Sequence, residues 1–452
     1  DSGAPGETRC EAVTYWSNPA RFARRVCPLL AQNAAGEWRC HARVEQVRPF
    51  WWPVARSYAI AATSAVALAG GSVWLTMRVV GYDVSPRQLL WPPAWSELRG
   101  VRAEFFRRES GVYLEQGRFR EALAALDLAS ELEPNDYATG MLLARVDQFA
   151  RPDHVDRVYR RLFDLHPDRR EQTAQVWFRS MLARAQLAGV IELAQRRLGD
   201  APAEWTVWLH GLLFAARLDK NWEALEKVAR QERLPAEARA VIELELQLRR
   251  TEWTEARKNL LRAPLPTSPY AWMNRVELLL EWGEGMEALQ LLRENRDKFA
   301  QRDYARLTLA AHAVARNRVA LDRDVRELLG RADEELAAAV AIVGQHLVQY
   351  PNRVLLDACR DATARLPGEI TPGREEALAA VYCALALDGR VEELMAVQER
   401  MGPSDRIVPT SQQRVESAFR QPGTSPLMLL LVVRPMSLEL NYAILTRAAE
   451  RR

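Results

Sequence analysis

Four alanines, Ala122, Ala224, Ala256 and Ala288, fall on a rhythm that a repeated unit explains and a single globular core does not. The last three are evenly spaced at intervals of thirty-two, and Ala122 to Ala224 is three steps of thirty-four. Sixteen residues ahead of two of them stand Trp208 and Trp272. A period in this range predicts one helical hairpin per unit. Each hairpin is too small to bury its apolar face alone and is stable only when stacked on neighbours.

The stretch "YLEQGRFREALAALDLASELEPND", Tyr113 to Asp136, shows one unit in detail. Gly117 breaks a first helix, and Ala122, Leu126 and Ala129 then mark one face of a second at i, i+4, i+7. Pro134 stops it, since a proline cannot continue a helix. Phe106, Ser110 and Tyr113 give the facing stripe of the first helix, and the small side chains let two antiparallel helices approach closely. Pro167 follows Pro134 at nearly the same interval, Trp177 fronts a further unit, and Gly389 precedes another second helix. Between Tyr304 and Gly368 the pattern is helical but irregular and predicts two degenerate pairs, one broken at Pro351. Residues 101–402 are thus expected to form eight or nine helix pairs in an all-α solenoid.

These residues resemble the tetratricopeptide repeat, a 34-residue helix-turn-helix with aromatic, small and proline positions at fixed places. Phe106, Ser110, Tyr113, Ala122, Ala129 and Pro134 occupy those places, while Glu109 stands where the family has Leu and Leu126 where it often has an aromatic. The resemblance implies a groove lined by the first helix of each unit. In the first unit its lining would be Glu104, Arg107, Gly111, Leu114 and Glu115; in a later one, Tyr270, Met273, Glu277, Leu280 and Glu281. The family's clamp for chaperone tails needs Lys and Asn at such positions, and neither set has them. A mixed apolar and acidic groove suits a protein segment.

Ahead of the array, Ser57 to Met77 run 21 residues without a charge, enough for a helix to cross the hydrocarbon core. Arg56 and Arg78 bracket the run, and "PFWWP" (Pro49 to Pro53) sits where an interfacial aromatic belt belongs. Its interior is rich in Ala, Gly and Ser, including Gly70 and Gly71, which favours close approach of another membrane helix. Arg39, Arg43, Arg48 and Arg56 lie within reach on the N-terminal side, against Arg78 and Arg87 on the other. That bias places the N-terminus in the cytoplasm and the solenoid in the periplasm. The expected organisation is an N-terminal Cys-containing cytoplasmic segment (1–50), a transmembrane helix with flanks (51–80), a Pro/Trp-rich linker (81–100), the solenoid (101–402) and a capping segment (403–452). In the last, the apolar run Leu427 to Val433 reads as a buried strand or helix covering the final hydrophobic face, with a partner-docking segment as the alternative.

The chemistry-bearing residues form no catalytic pattern. Cys10, Cys27, Cys40 and His41 are the nearest approach to a metal set, but structural zinc sites bring their cysteines in close pairs, and these have sixteen and twelve residues between them. The chain has no HExxH, GxSxG, P-loop or GxGxxG. Carboxylates such as Glu192 and Glu287 read as solvated helix-surface groups paired with Arg at i, i+4. A net charge of +3 on 452 residues gives no basic face for nucleic acid, and an Arg excess over four Lys reads as a GC-rich bacterial genome. The sequence therefore implies a non-catalytic, cofactor-free scaffold or assembly factor in the bacterial inner membrane. It would touch the lipid bilayer through residues 57–77 and bind other proteins, a membrane complex above all, in envelope biogenesis, secretion or export. The alternatives are a permanent accessory subunit of a large membrane complex and, behind it, a zinc-binding or enzymatic protein.

Overall fold

The computed structural model describes residues 30–32, 34–36, 38–40, 51–148, 150–200, 204–262, 266, 268–401, 417–421, 423–431 and 436–450. The chain divides into two compact units, Asp1–Phe106 and Arg107–Arg452.

The first unit opens with a short antiparallel ribbon, β1 (Leu30–Gln32) and β2 (Trp38–Cys40), in which Leu30 faces Cys40 and Gln32 faces Trp38. Strands this short show no alternating pattern, so nothing in the sequence announced them. Helix α1 then spans Trp51–Val80, and its stretch Tyr58–Val80 is long and apolar enough to cross a membrane, with none of it buried in the protein. Three of its hydroxyls bond within the helix. Thr63, Ser72 and Thr76 each donate to the carbonyl four residues back, at 2.7 to 2.9 Å. The end of α1 is tied to the next segment by Trp74 Nε1 donating to the Val84 carbonyl at 2.8 Å and by an Arg78–Asp83 ion pair at 2.7 Å. The predicted linker is not extended. It forms a short helix α2 (Pro86–Leu90), started by a Ser85–Gln88 capping box, and a 3₁₀ turn at Pro92–Ser96 that leaves Trp91 and Trp95 exposed.

Helix α3 (Glu97–Glu115) contains the boundary between the units, and a turn at Gly117 leads from it into α4 (Phe119–Leu132). Eight further hairpins follow among the described residues. They are α5 (Tyr137–Asp147) with α6 (Pro152–Leu165), α7 (Arg170–Ala183) with α8 (Leu187–Gly199), α9 (Trp205–Asp219) with α10 (Trp222–Ala229), and α11 (Ala236–Arg250) with α12 (Trp253–Arg262). Then come α13 (Pro269–Glu281) with α14 (Gly285–Glu294), α15 (Gln301–Val314) with α16 (Arg318–Leu329), α17 (Asp333–Gln349) with α18 (Arg353–Thr363), and α19 (Pro372–Asp388) with α20 (Val391–Arg400). The second unit is an α-solenoid, and the irregular region after Tyr304 resolves into regular hairpins.

Ala122, Ala224, Ala256 and Ala288 are equivalent. Each sits in the first turn of a second helix and is buried, at 0 to 6% exposure. Val155, Val190, Leu321, Leu356 and Leu394 fill the corresponding place in the other hairpins, which is why alanine alone did not reveal every unit. The turn between helices also repeats. In six hairpins an amide donates to the carbonyl five residues back: Arg118 to Tyr113, Gln186 to Met181, Asn221 to Ala216, Glu284 to Leu279, Asn317 to His312 and Arg390 to Leu385. The preceding residue takes a left-handed conformation. Glycine supplies it at 117, 283 and 389, and Ala185, Lys220 and Arg316 adopt it without that freedom.

Ion pairs stitch one hairpin to the next. Arg184 meets Asp156 at 2.7 Å, Arg196 meets Asp164 at 2.6 Å and Arg390 meets Asp357 at 2.6 Å, all about one repeat apart in sequence. This corrects the i, i+4 reading of the surface carboxylates: Glu192 pairs with Arg160 and Glu287 with Arg257, in each case on a neighbouring hairpin. After α20 the chain passes a 3₁₀ turn at Pro426–Leu431, where Leu429 and Leu430 are buried, and ends in helix α21 (Leu438–Glu450).

Candidate functional site

The first helices of the central hairpins share a polar face built from long-range pairs. Arg217 of α9 reaches Glu245 of α11 at 2.8 Å and the Asn274 side chain of α13 at 2.8 Å. Glu245 is wholly buried and also accepts from Arg249, which forks onto Glu281 at 2.6 and 2.7 Å. Glu277 of α13 pairs with Arg306 of α15 at 3.2 Å and lies 3.9 Å from His210 Nδ1 of α9. Burial alone would raise the Glu245 carboxyl, but Arg217 and Arg249 outweigh it and hold it below the usual range. Burial works against ionising Glu277 too, and His210, Arg306 and Arg217 around it likewise hold it low. His210 is pushed down by burial, against the opposing pull of Glu277.

Beside this ladder runs an aromatic row. Trp205 and Tyr270 meet edge-on at 5.9 Å between centroids, Tyr270 lies 6.2 Å from His210, and His210 lies 4.9 Å from Tyr442. Tyr442 also meets Phe214 at 4.3 Å. Tyr442 belongs to α21, so the terminal helix is itself part of the site. It packs on α7, α9 and α17, first helices of three separate hairpins, instead of closing the stack at α20 as a cap would. Leu440 and Ile444 are fully buried there, with Leu445 and Ala448 beside them. Ser437, at its start, accepts from Gln345 Nε2 of α17 at 3.1 Å, and Gln345 also reaches Glu376 of α19.

The groove residues expected from the sequence divide accordingly. Tyr270 is buried, and Met273, Glu277 and Leu280 are mostly covered, while Glu281 stays exposed in its pair with Arg249. In the first hairpin Arg107, Gly111 and Leu114 are part-exposed and Glu115 is exposed; Glu104 lies in the first unit. Ala122, Trp208, Ala224, Ala256, Trp272 and Ala288 are buried in their helices, Gly117 takes the left-handed turn before α4, and Pro134 is exposed after it. Sequence reasoning missed Arg217, Glu245 and the whole of α21 as site elements. A charged residue inside an apolar helix stripe, such as Glu245 between Ile242 and Leu246, was the available signal.

Cys10, Cys27 and His41 lie outside the described residues, and Cys40 ends β2. Among the described residues no group of three His, Cys, Asp or Glu stands close enough to hold a metal ion. Cys359 and Cys383 are buried free thiols that burial pushes up, Cys359 to about 12. Comparison by sequence gave no match to a protein-family model or to a curated protein.

Proposed function

We propose that the chain is a membrane-anchored scaffold that binds other proteins along a tetratricopeptide-like solenoid. The observation that carries this reading is the stack of hairpins in equivalent register, whose central first helices share a face of paired charges and aromatics on which α21 lies. Such arrays act by surface, and fold alone does not name a ligand, so the step to protein binding rests on this face. The helix Trp51–Val80 supplies the anchor, crossing the bacterial inner membrane once. The Arg excess on its N-terminal side supports a cytoplasmic N-terminus and a periplasmic solenoid, where a role in envelope biogenesis, secretion or export fits.

The small residues of α1 favour a second reading on the same architecture. Gly71 has nothing within 4 Å of the place a β-carbon would take, a surface that another transmembrane helix of a permanent complex could approach. Purification in mild detergent after cross-linking tests both. Defined protein partners held through the solenoid support the scaffold, and co-elution at fixed stoichiometry through α1 supports the subunit. A lone monomer under every condition contradicts both. Protease treatment of right-side-out and inverted vesicles tests the orientation, which fails if the solenoid is cut only from the cytoplasmic side.

A further inference from the structure

Helix α21 is attached to the second unit differently from every other helix. The hairpins are completed by their own turns, six of them through the left-handed link, and by the buried first-turn residue. Among the described residues helix α21 packs on the 3₁₀ turn Pro426–Leu431 before it and is not paired with an α-helix as the hairpins are. It lies on α7 and α9, the first helices of adjacent hairpins, and on α17, which is distant from both in the sequence. Its apolar anchors follow helix-in-groove spacing: Leu440, Ile444 and Ala448 at i, i+4 and i+8, with Tyr442 and Leu445 flanking them. Its polar start is read as well. Ser437 accepts from Gln345 Nε2 at 3.1 Å, and Glu439 lies in the first turn.

We propose that the face formed by α7, α9 and α17 is a helix-binding site whose resident is the chain's own terminal helix, and that it accepts a partner protein's helix of the same chemistry. That chemistry is an acidic residue in the first turn, then Leu, Tyr, Ile-Leu and Ala at the spacing of Leu440, Tyr442, Ile444, Leu445 and Ala448. The site discriminates by its fittings. The aromatic row of His210 and Phe214 takes a tyrosine ring, and Gln345 takes the hydroxyl-capped start. The tether makes α21 an intramolecular competitor, present at an effective concentration on the order of millimolar. A free partner helix must therefore outcompete it, and the site opens only to a partner that binds tightly or is itself held nearby. This inference rests on the protein-binding reading above.

The test uses the whole 452-residue chain in detergent with a protease recognition sequence inserted between Val433 and Arg434, so that cutting leaves α21 held without its tether. A fluorescent peptide of residues 436–452 is then added to cut and uncut protein. The proposal predicts one peptide bound per cut chain, at least 100-fold weaker binding to uncut chain, and at least a 10-fold loss for the Tyr442→Ala peptide. A second peptide keeping Ser437, Glu439, Leu440, Tyr442, Ile444, Leu445 and Ala448 but changing every other position is predicted to bind within 10-fold of the first. If cutting unfolds the chain and added peptide refolds it, the proposal is also supported. Cut protein that stays folded yet never exchanges its helix makes α21 a fixed core element and overturns the proposal. Unfolding that peptide does not reverse, or equal binding of the Tyr442→Ala peptide, overturns it too. None of these readouts needs a partner or a membrane, so their failure leaves the scaffold reading standing, and an empty co-purification leaves the site standing.

Discussion

The rings of Tyr442 and Phe214 lie 4.3 Å apart, centroid to centroid, although about half of the chain separates them in sequence. That contact seats the terminal helix on α9, and the Tyr442 hydroxyl has no partner among the described atoms. The ring, then, carries the contact. Tyr442→Ala is predicted to lower stability by about 3 kcal/mol, the order of a large-to-small change at a buried aromatic. Tyr442→Phe, which keeps the ring, is predicted to cost less than about 1 kcal/mol, since it leaves the packing intact. Urea unfolding of the two variants beside the parent decides it, and equal losses would contradict the contact's role.

Gly285, at the start of α14, faces the backbone of α15. A β-carbon there would lie 2.5 Å from the Ala315 nitrogen and 2.7 Å from the Ala311 carbonyl oxygen. Backbone cannot rotate away as a side chain can, so Gly285→Ala is predicted to cost about 2 kcal/mol or more. Gly283→Ala, two residues earlier in open space but at φ +80°, suffers only the left-handed penalty of about 1 kcal/mol. Thermal melts of the two variants should rank in that order.

The repeat was legible because contact-bearing positions demand small or aromatic side chains: Ala122, Ala224, Ala256, Ala288, Trp208 and Trp272 all fell where the rhythm placed them. Other features left no such mark. Ala185, Lys220 and Arg316 take the left-handed turn without the glycine that announces it elsewhere. The ion pairs join residues about one repeat apart, and a sequence crowded with Arg and Glu offers many equally good local pairings. The seat of α21 was invisible because a short apolar helix carries no record of the distant helices it meets.

Arg217 and Glu245 form the centre of the charged ladder, and Glu245 is fully buried. Removing one partner from a buried pair strands the other, so Arg217→Leu is predicted to cost about 3 kcal/mol. The double variant Arg217→Leu, Glu245→Leu should lose less than the sum of the two single changes, by about 2 kcal/mol. A double-mutant cycle by chemical denaturation measures the coupling, and strict additivity would mean that the two do not act together.

His346 of α17 is buried, and burial pushes its pKa down to about 4 from an unfolded value of about 6.5. Between those values the unfolded chain binds the proton and the folded chain does not, so stability is complete above about pH 6.5 and falls toward about pH 4. His210 and His312 are lowered by burial in the same sense. Glu245 and Glu277, held below the usual carboxylate range, lose their contribution only at still lower pH. His346→Leu should therefore reduce the stability lost between pH 7 and pH 5 by about 2 kcal/mol. Urea titrations of both proteins at the two pH values check this, and parallel losses would contradict it.

The most direct measurement is a photocross-link from the terminal helix of the intact protein, with p-benzoylphenylalanine in place of Tyr442. If α21 lies on the shared face of the first helices, the cross-link forms within one molecule and maps to Trp205–Asp219. A cross-link to the last hairpin, Pro372–Arg400, would make the terminal helix an end cap and contradict the account.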